Sequence, residues 1–104
     1  MQLKFTPRGI REIEQEKKVP FHSLLADYSV TTLQLFIKKG MGRGVTDQQA
    51  DDAIEEYLKD KGLEELYLDI MEQLQVDGFL PKALKVEQMR KEMAKTIGTV
   101  AEQI

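Results

Sequence analysis

The chain has 104 residues, 41% hydrophobic and 32% charged, with a formal net charge of −3, which describes one globular domain with a modest core and excludes a disordered chain. It has no cysteine, so disulfides, thiolate metal sites and thiol nucleophiles are excluded. Its apolar runs are a few residues long against the roughly 20 that a membrane-spanning helix needs, and no basic-then-apolar leader follows Met1; the protein is expected to stay where it is made.

Leu3 and Phe5 alternate with Gln2 and Lys4, which predicts a short extended entry with one buried face. Thr6-Pro7 marks a helix start, because threonine can cap and proline is tolerated at the first helical position. Ile10 and Ile13 share one face of that helix, with Arg8, Arg11, Glu12 and Glu16 opposite. Val19-Pro20 ends it, since the residue before proline avoids helical angles. Phe21, Leu24, Leu25 and Tyr28 then stand at positions i, i+3, i+4 and i+7, a short amphipathic helix.

Ser29 to Thr32 supplies the next cap, and Leu33 to Lys39 reads as the most apolar helix. Val30, Leu33, Leu35, Phe36 and Ile37 cover more than one face, so this helix is expected at the centre of the fold. Lys38 and Lys39 suit its C-terminus, where the helix dipole favours cations, and Gly40, Gly42 and Gly44 predict a loop. Thr46 with Gln49 three residues on predicts a capping box. It opens a helix over Asp47 to Lys61 with Ala50, Ala53, Ile54, Tyr57 and Leu58 on one face, closed by Gly62 as a C-terminal glycine.

Leu63 to Val76 repeats the pattern through Leu66, Tyr67, Ile70, Met71 and Leu74. Asp77-Gly78 ends this helix, and Phe79 and Leu80 are expected to dock as a hydrophobic plug before Pro81. In the last segment Val86, Met89, Met93, Ile97, Val100 and Ile104 recur at spacings of 3, 4, 4, 3 and 4, a narrow seam close to a heptad. Lys85, Arg90, Lys91, Glu92 and Lys95 flank it, and Gly98 weakens it by roughly 1 kcal/mol relative to alanine. The expected fold is all-α, a compact bundle of about five to six short helices with a short extended N-terminal segment. Residues 1–80 form the helical domain, and residues 81–104 form an amphipathic helix that either docks on it or binds a partner.

Charge is segregated along the chain. Residues 1–46 carry eight basic and four acidic residues (+4), residues 47–77 two and eleven (−9), and residues 78–104 five and three (+2). A solvated helix face explains the acidic block most simply, with electrostatic pairing within the molecule or between copies as the alternative. So acidic a centre disfavours strong nucleic-acid binding.

Material for chemistry is scarce. His22 is the single histidine and has no cluster of metal-ligand spacing around it. The stretch from Gly40 to Thr46 lacks the Lys-Ser/Thr pair and the preceding strand of a phosphate loop, so it reads as a connector, although Lys38, Lys39 and Arg43 remain available for anion contact. Asp51, Asp52, Glu55 and Glu56 follow no calcium-loop pattern and occupy a polar helix face rather than a cleft. Ser23 and Ser29 have only His22 as a base and no third group to orient it. No enzymatic activity, cofactor or metal is expected. The candidate partner-binding residues are Val86, Met89, Met93, Ile97 and Val100, because methionine adapts to varied surfaces. Burying one such side chain contributes roughly 1.5–3 kcal/mol, so Met93→Asp is expected to weaken an association made through the seam.

The order of segments resembles the tail assembly chaperones of long-tailed phages and prophages of Gram-positive bacteria. The similar parts are LKFTPRGIREIEQE, the apolar LLADYSVTTLQLFIKKGM, the capped acidic VTDQQADDAIEEYLKDKG and its partner LEELYLDIMEQLQVDGFL, together covering residues 3–80. Two features depart from the family. Phe36-Ile37-Lys38-Lys39 replaces a more hydrophobic Leu-Trp-Ala-like run, and the leading hairpin strand is absent or truncated, leaving Leu3–Phe5 as an edge. The resemblance implies a non-catalytic role: binding the long, aggregation-prone tape measure protein and keeping it soluble while tail tube subunits assemble around it. It further implies several copies along one client, action in the host bacterial cytoplasm, absence from the finished particle and, in many relatives, a longer frameshifted form. The tail tube protein is a further partner on this reading. The alternatives are a small helical regulator that binds nucleic acid through Lys38, Lys39, Arg43 and the basic tail, or a structural tail component.

Overall fold

The computed structural model describes residues 1–84, 86 and 88–91. Helix α1 spans Pro7–Lys17. Thr6 precedes it in an extended conformation, and its hydroxyl accepts the Gly9 amide at 3.1 Å while Pro7 takes the first helical position. Lys18 closes α1 in the left-handed region (φ 59°). Helix α2, Phe21–Leu24, has no cap from its own preceding residue. Instead the Glu14 carboxylate reaches forward from α1 and accepts the Phe21 amide at 2.9 Å, which fixes the angle between the two helices.

Helix α3 spans Val30–Met41, with the Ser29 hydroxyl accepting the Thr32 amide at its start. Helix α4, Asp47–Leu58, opens on the capping box, Thr46 and Gln49 each accepting the other's backbone amide. Helix α5 covers Leu63–Val76. Each side-chain cap contributes about 1 kcal/mol, enough to set where these short helices begin. The chain is helical again at Val86 and at residues 88–91. No strand occurs among the described residues, and the protein is a small all-α bundle.

Helix α3 is the centre, as its all-round apolar pattern requires. Leu33, Leu35, Phe36 and Ile37 are all buried, and α1, α4 and α5 pack around them. The extended entry lies across the C-terminal half of α3: the Lys4 amide donates to the Gly40 carbonyl at 2.8 Å, and the Phe5 ring meets Phe36 edge-on with centroids 6.1 Å apart. At the opposite end of the chain, Gly78 turns with φ 92°. Leu80 is buried, and Phe79 sits edge-on to Phe21 at 6.3 Å, which makes the expected plug.

Four local details differ from the sequence reading. Gly40 belongs to α3 and is buried, because a Cβ there would sit 3.1 Å from Leu3 Cδ2 and from Phe5 Cε1 and Cζ; close approach of the entry segment, rather than loop flexibility, explains this glycine. Helix α4 stops at Leu58, and residues 59–61 form a turn. Gly62 has φ −90° and is the N-cap of α5 rather than a left-handed terminator of α4. Helix α2 ends at Leu24, four residues before Tyr28. The Asp27 carboxylate accepts the Ser29 amide at 2.9 Å and the Thr32 hydroxyl at 2.7 Å, forming a tight turn in place of another helical turn.

Candidate partner-binding surfaces

The C-terminal seam begins inside the domain. Val86 is buried and Met89 packs against the core from a partly buried position. Two polar clamps hold this stretch along α5. The Gln75 amide donates to the carbonyls of Pro81 at 2.9 Å and Leu84 at 2.5 Å. The Arg90 guanidinium donates to Asp69 and Glu72, each at 2.8 Å. The Tyr57 hydroxyl hydrogen-bonds the other Asp69 oxygen; burial first, and then this carboxylate, raise the tyrosine's pKa well above its usual value. Val86, expected among the partner contacts, is therefore a core residue, and Met89 faces its own domain. Met93, Ile97 and Val100 lie outside the described residues.

A second surface lies where the start of α3 meets the α4–α5 connection. Tyr28, Val30 and Leu58 are 58%, 55% and 42% exposed, although the sequence pattern places all three on buried faces. Tyr28 misses the α2 stripe because that helix has already ended, Val30 occupies the first position of α3, and Leu58 the last of α4. Tyr28, Leu33, Leu63 and Tyr67 line a groove of about 350 Å³. Beyond Val30 a shallower depression of about 490 Å³ is walled by Ile54 and Leu58.

The floor of the groove is tied to the end of α2. The Tyr67 hydroxyl donates to the Leu25 carbonyl at 2.6 Å, and its ring stands edge-on to Tyr28 with centroids 4.6 Å apart. Burial pushes the Tyr67 hydroxyl up to about 12. Glu64 stands at the rim of the groove, and Asp51, Glu55 and Lys59 at that of the depression. An apolar floor inside a mainly acidic rim complements an amphipathic helix with basic flanks.

The third surface is a basic cleft of about 380 Å³ between the entry segment, α1 and the α3–α4 loop, lined by Lys4, Arg8, Lys38, Lys39 and Arg43 with Glu12 as its carboxylate. Lys39 donates to Glu12 at 2.8 Å and Arg8 to the same carboxylate at 3.2 Å. The hydrogen bond from Lys39, its charge and the nearby Arg8 hold the Glu12 carboxyl below the usual range. Lys38 pairs with Asp47 at 3.0 Å, and that hydrogen bond raises the lysine and lowers the carboxyl. The sequence singles out Lys38, Lys39 and Arg43; folding adds Lys4 and Arg8 to them.

The remaining candidates take ordinary places. His22 is exposed and lies against the Phe21 ring at 4.2 Å, Ser29 is occupied as the α3 cap, and Asp51, Asp52, Glu55 and Glu56 are exposed along α4. Among the described residues no three His, Asp or Glu side chains are placed to hold a metal ion, and no helix is long and apolar enough to cross a membrane. No protein-family model, curated protein or solved structure matches the chain.

The apolar surface beside Tyr28 carried a sequence signal that hydrophobic periodicity obscures. Asp27-Tyr28-Ser29 followed by Thr32 is a turn-and-cap pattern, and it puts Tyr28 and Val30 at an element boundary instead of on a stripe.

Proposed function

We propose that this protein is a non-catalytic tail assembly chaperone that binds the tape measure protein and keeps it soluble during tail assembly. The observation that carries the reading is the exposure of Val30 and Leu58 in one acid-rimmed depression, with Tyr28, two residues before Val30, exposed over a second apolar groove. Single exposed apolar residues are ordinary, but exposed apolar residues from two helices that share a depression fit a protein interface. The segment order over residues 3–80 supports the same reading. A client helix laid on this surface buries its apolar face, and each Val or Leu covered contributes roughly 1.5–3 kcal/mol. The later seam positions Met93, Ile97 and Val100 supply a further contact, to the client or to another copy of the chain, and the tail tube protein is a second partner. The protein works in the host bacterial cytoplasm and is absent from the finished particle.

Co-expression tests this reading: a tape measure fragment that is insoluble alone becomes soluble with the protein, and a fragment that stays insoluble rejects it. The genes nearby give an independent check, a tail tube gene upstream and a very long tape measure gene downstream; finding neither sinks the proposal. Detection of the protein in purified particles by mass spectrometry would instead mark it as a structural tail component.

The basic cleft favours one other reading, a small regulator that binds nucleic acid through Lys38, Lys39 and Arg43. Salt-dependent retention of DNA at low micromolar protein supports that reading against the chaperone.

A further inference from the structure

We propose that the basic cleft between the entry segment, α1 and the α3–α4 loop is a binding site for a compact phosphate-bearing ligand, recognised through its phosphate oxygens. Five cations, Lys4, Arg8, Lys38, Lys39 and Arg43, meet there. The carboxylates paired with them are Glu12 and Asp47, and the Glu16 charge also acts on Lys38, which leaves a local charge of +2 in a protein whose net charge is −3. Lys38 and Lys39 also answer the negative C-terminal end of α3. Arg8 pairs with Glu12 on its own helix, but Lys4 and Arg43 have no such explanation. Arg8 stands in the first turn of α1, which contains no acidic residue, and shares its Glu12 partner with Lys39. An anion in the cleft adds a second counter-charge for these two cations.

The donors are already in position. Lys38 and Lys39 are held by their carboxylate partners, and Arg43, Gly44 and Val45 form the cleft wall. Gly44 takes the left-handed φ of 77° that favours glycine, and the space beside it is open. Guanidinium and ammonium donors gathered in one concavity suit a tetrahedral oxyanion with several acceptor oxygens.

Two features separate a compact ligand from a polynucleotide. The cations occupy one concavity rather than a stripe, and α4 beyond the loop carries the exposed acids Asp51, Asp52, Glu55 and Glu56, which repel an extended polyanion. No aromatic ring lines the cleft, so nothing there stacks on a base.

The test titrates the full chain with pyrophosphate, by calorimetry and by following backbone amide resonances. Saturable one-to-one binding is expected, with the Arg43, Gly44 and Val45 resonances shifting. The Lys4→Gln/Arg43→Gln double variant touches neither carboxylate pair; it should bind about tenfold or more weakly with its melting temperature unchanged. Absence of saturation into the millimolar range, or equal affinity in the double variant, overturns the proposal. An oligodeoxythymidine that binds more tightly than pyrophosphate through the same residues overturns it as well, by assigning the cleft to a polynucleotide.

Discussion

The backbone amide of Phe5 donates a 2.7 Å hydrogen bond to the Asp77 carboxylate, joining residues 72 apart in sequence. The same carboxylate accepts from Gln73 at 3.1 Å, so the C-terminal end of α5 anchors the entry segment. Phe5 is 3% exposed, and an unpaired amide there costs about 1–3 kcal/mol. Asp77→Ala should lower stability by about that amount in urea unfolding, while Asp77→Asn, which keeps an acceptor oxygen, should recover most of the loss. Equal losses in both variants would mean that this hydrogen bond does not anchor the entry.

Gly40→Ala sets helix propensity against space. Alanine gains up to about 1 kcal/mol within a helix, but its methyl would lie 3.1 Å from Leu3 and from a Phe5 ring already packed on Phe36. Overpacking of this kind costs about 1–3 kcal/mol, so the variant should be less stable in denaturant titration despite its better helix former. A stabilised Gly40→Ala would show that the entry segment yields freely.

Thr32 is fully buried, and its hydroxyl donates to Asp27 at 2.7 Å. That hydrogen bond first, then those from Ser29, hold the Asp27 carboxyl below its usual value. A carboxyl depressed in the folded state contributes stability that is present above its unfolded pKa and is lost as pH falls through the folded one. Thr32→Val should therefore melt earlier than wild type near neutral pH, and the difference should narrow as the solution is acidified below about pH 4. A gap that stays constant across that range would separate the Thr32 contribution from the Asp27 charge.

Val86 tests whether the start of the seam is core. It is 3% exposed, and truncation to alanine removes the equivalent of two methylenes at about 0.8 kcal/mol each, with a cavity cost added. A loss of about 2 kcal/mol is expected for Val86→Ala in equilibrium unfolding. Unchanged stability would release this position to a partner.

Local chemistry made much of the fold legible. Thr6, Ser29 and the Thr46–Gln49 box act within three residues of themselves, and Ile10, Ile13, Leu33 and Phe36 fall on faces that helical periodicity identifies. Contacts between distant segments were not legible. Gly40 reads as a loop residue until Leu3 and Phe5 are laid across it, and Asp77 reads as a helix terminus until it receives the Phe5 amide. The candidate interaction surface belongs to the second kind. Tyr28, Val30 and Leu58 carry apolar side chains at element ends, and only the packing of α3 on α4 brings Val30 and Leu58 to one depression. The terminal seam was legible as a pattern, but its first positions pack on their own domain because of Gln75 and Arg90, partners that periodicity does not reveal.

The most direct test of the proposed role is the yield of soluble tape measure fragment on co-expression with wild type or with a Val30→Asp/Leu58→Asp double variant. Both positions are exposed, so the variant should retain the wild-type melting temperature. Each charge placed under a client helix forfeits roughly 1.5–3 kcal/mol of apolar burial. Soluble fragment is expected with wild type and little or none with the folded variant. Equal solubility with both proteins would contradict the proposed role.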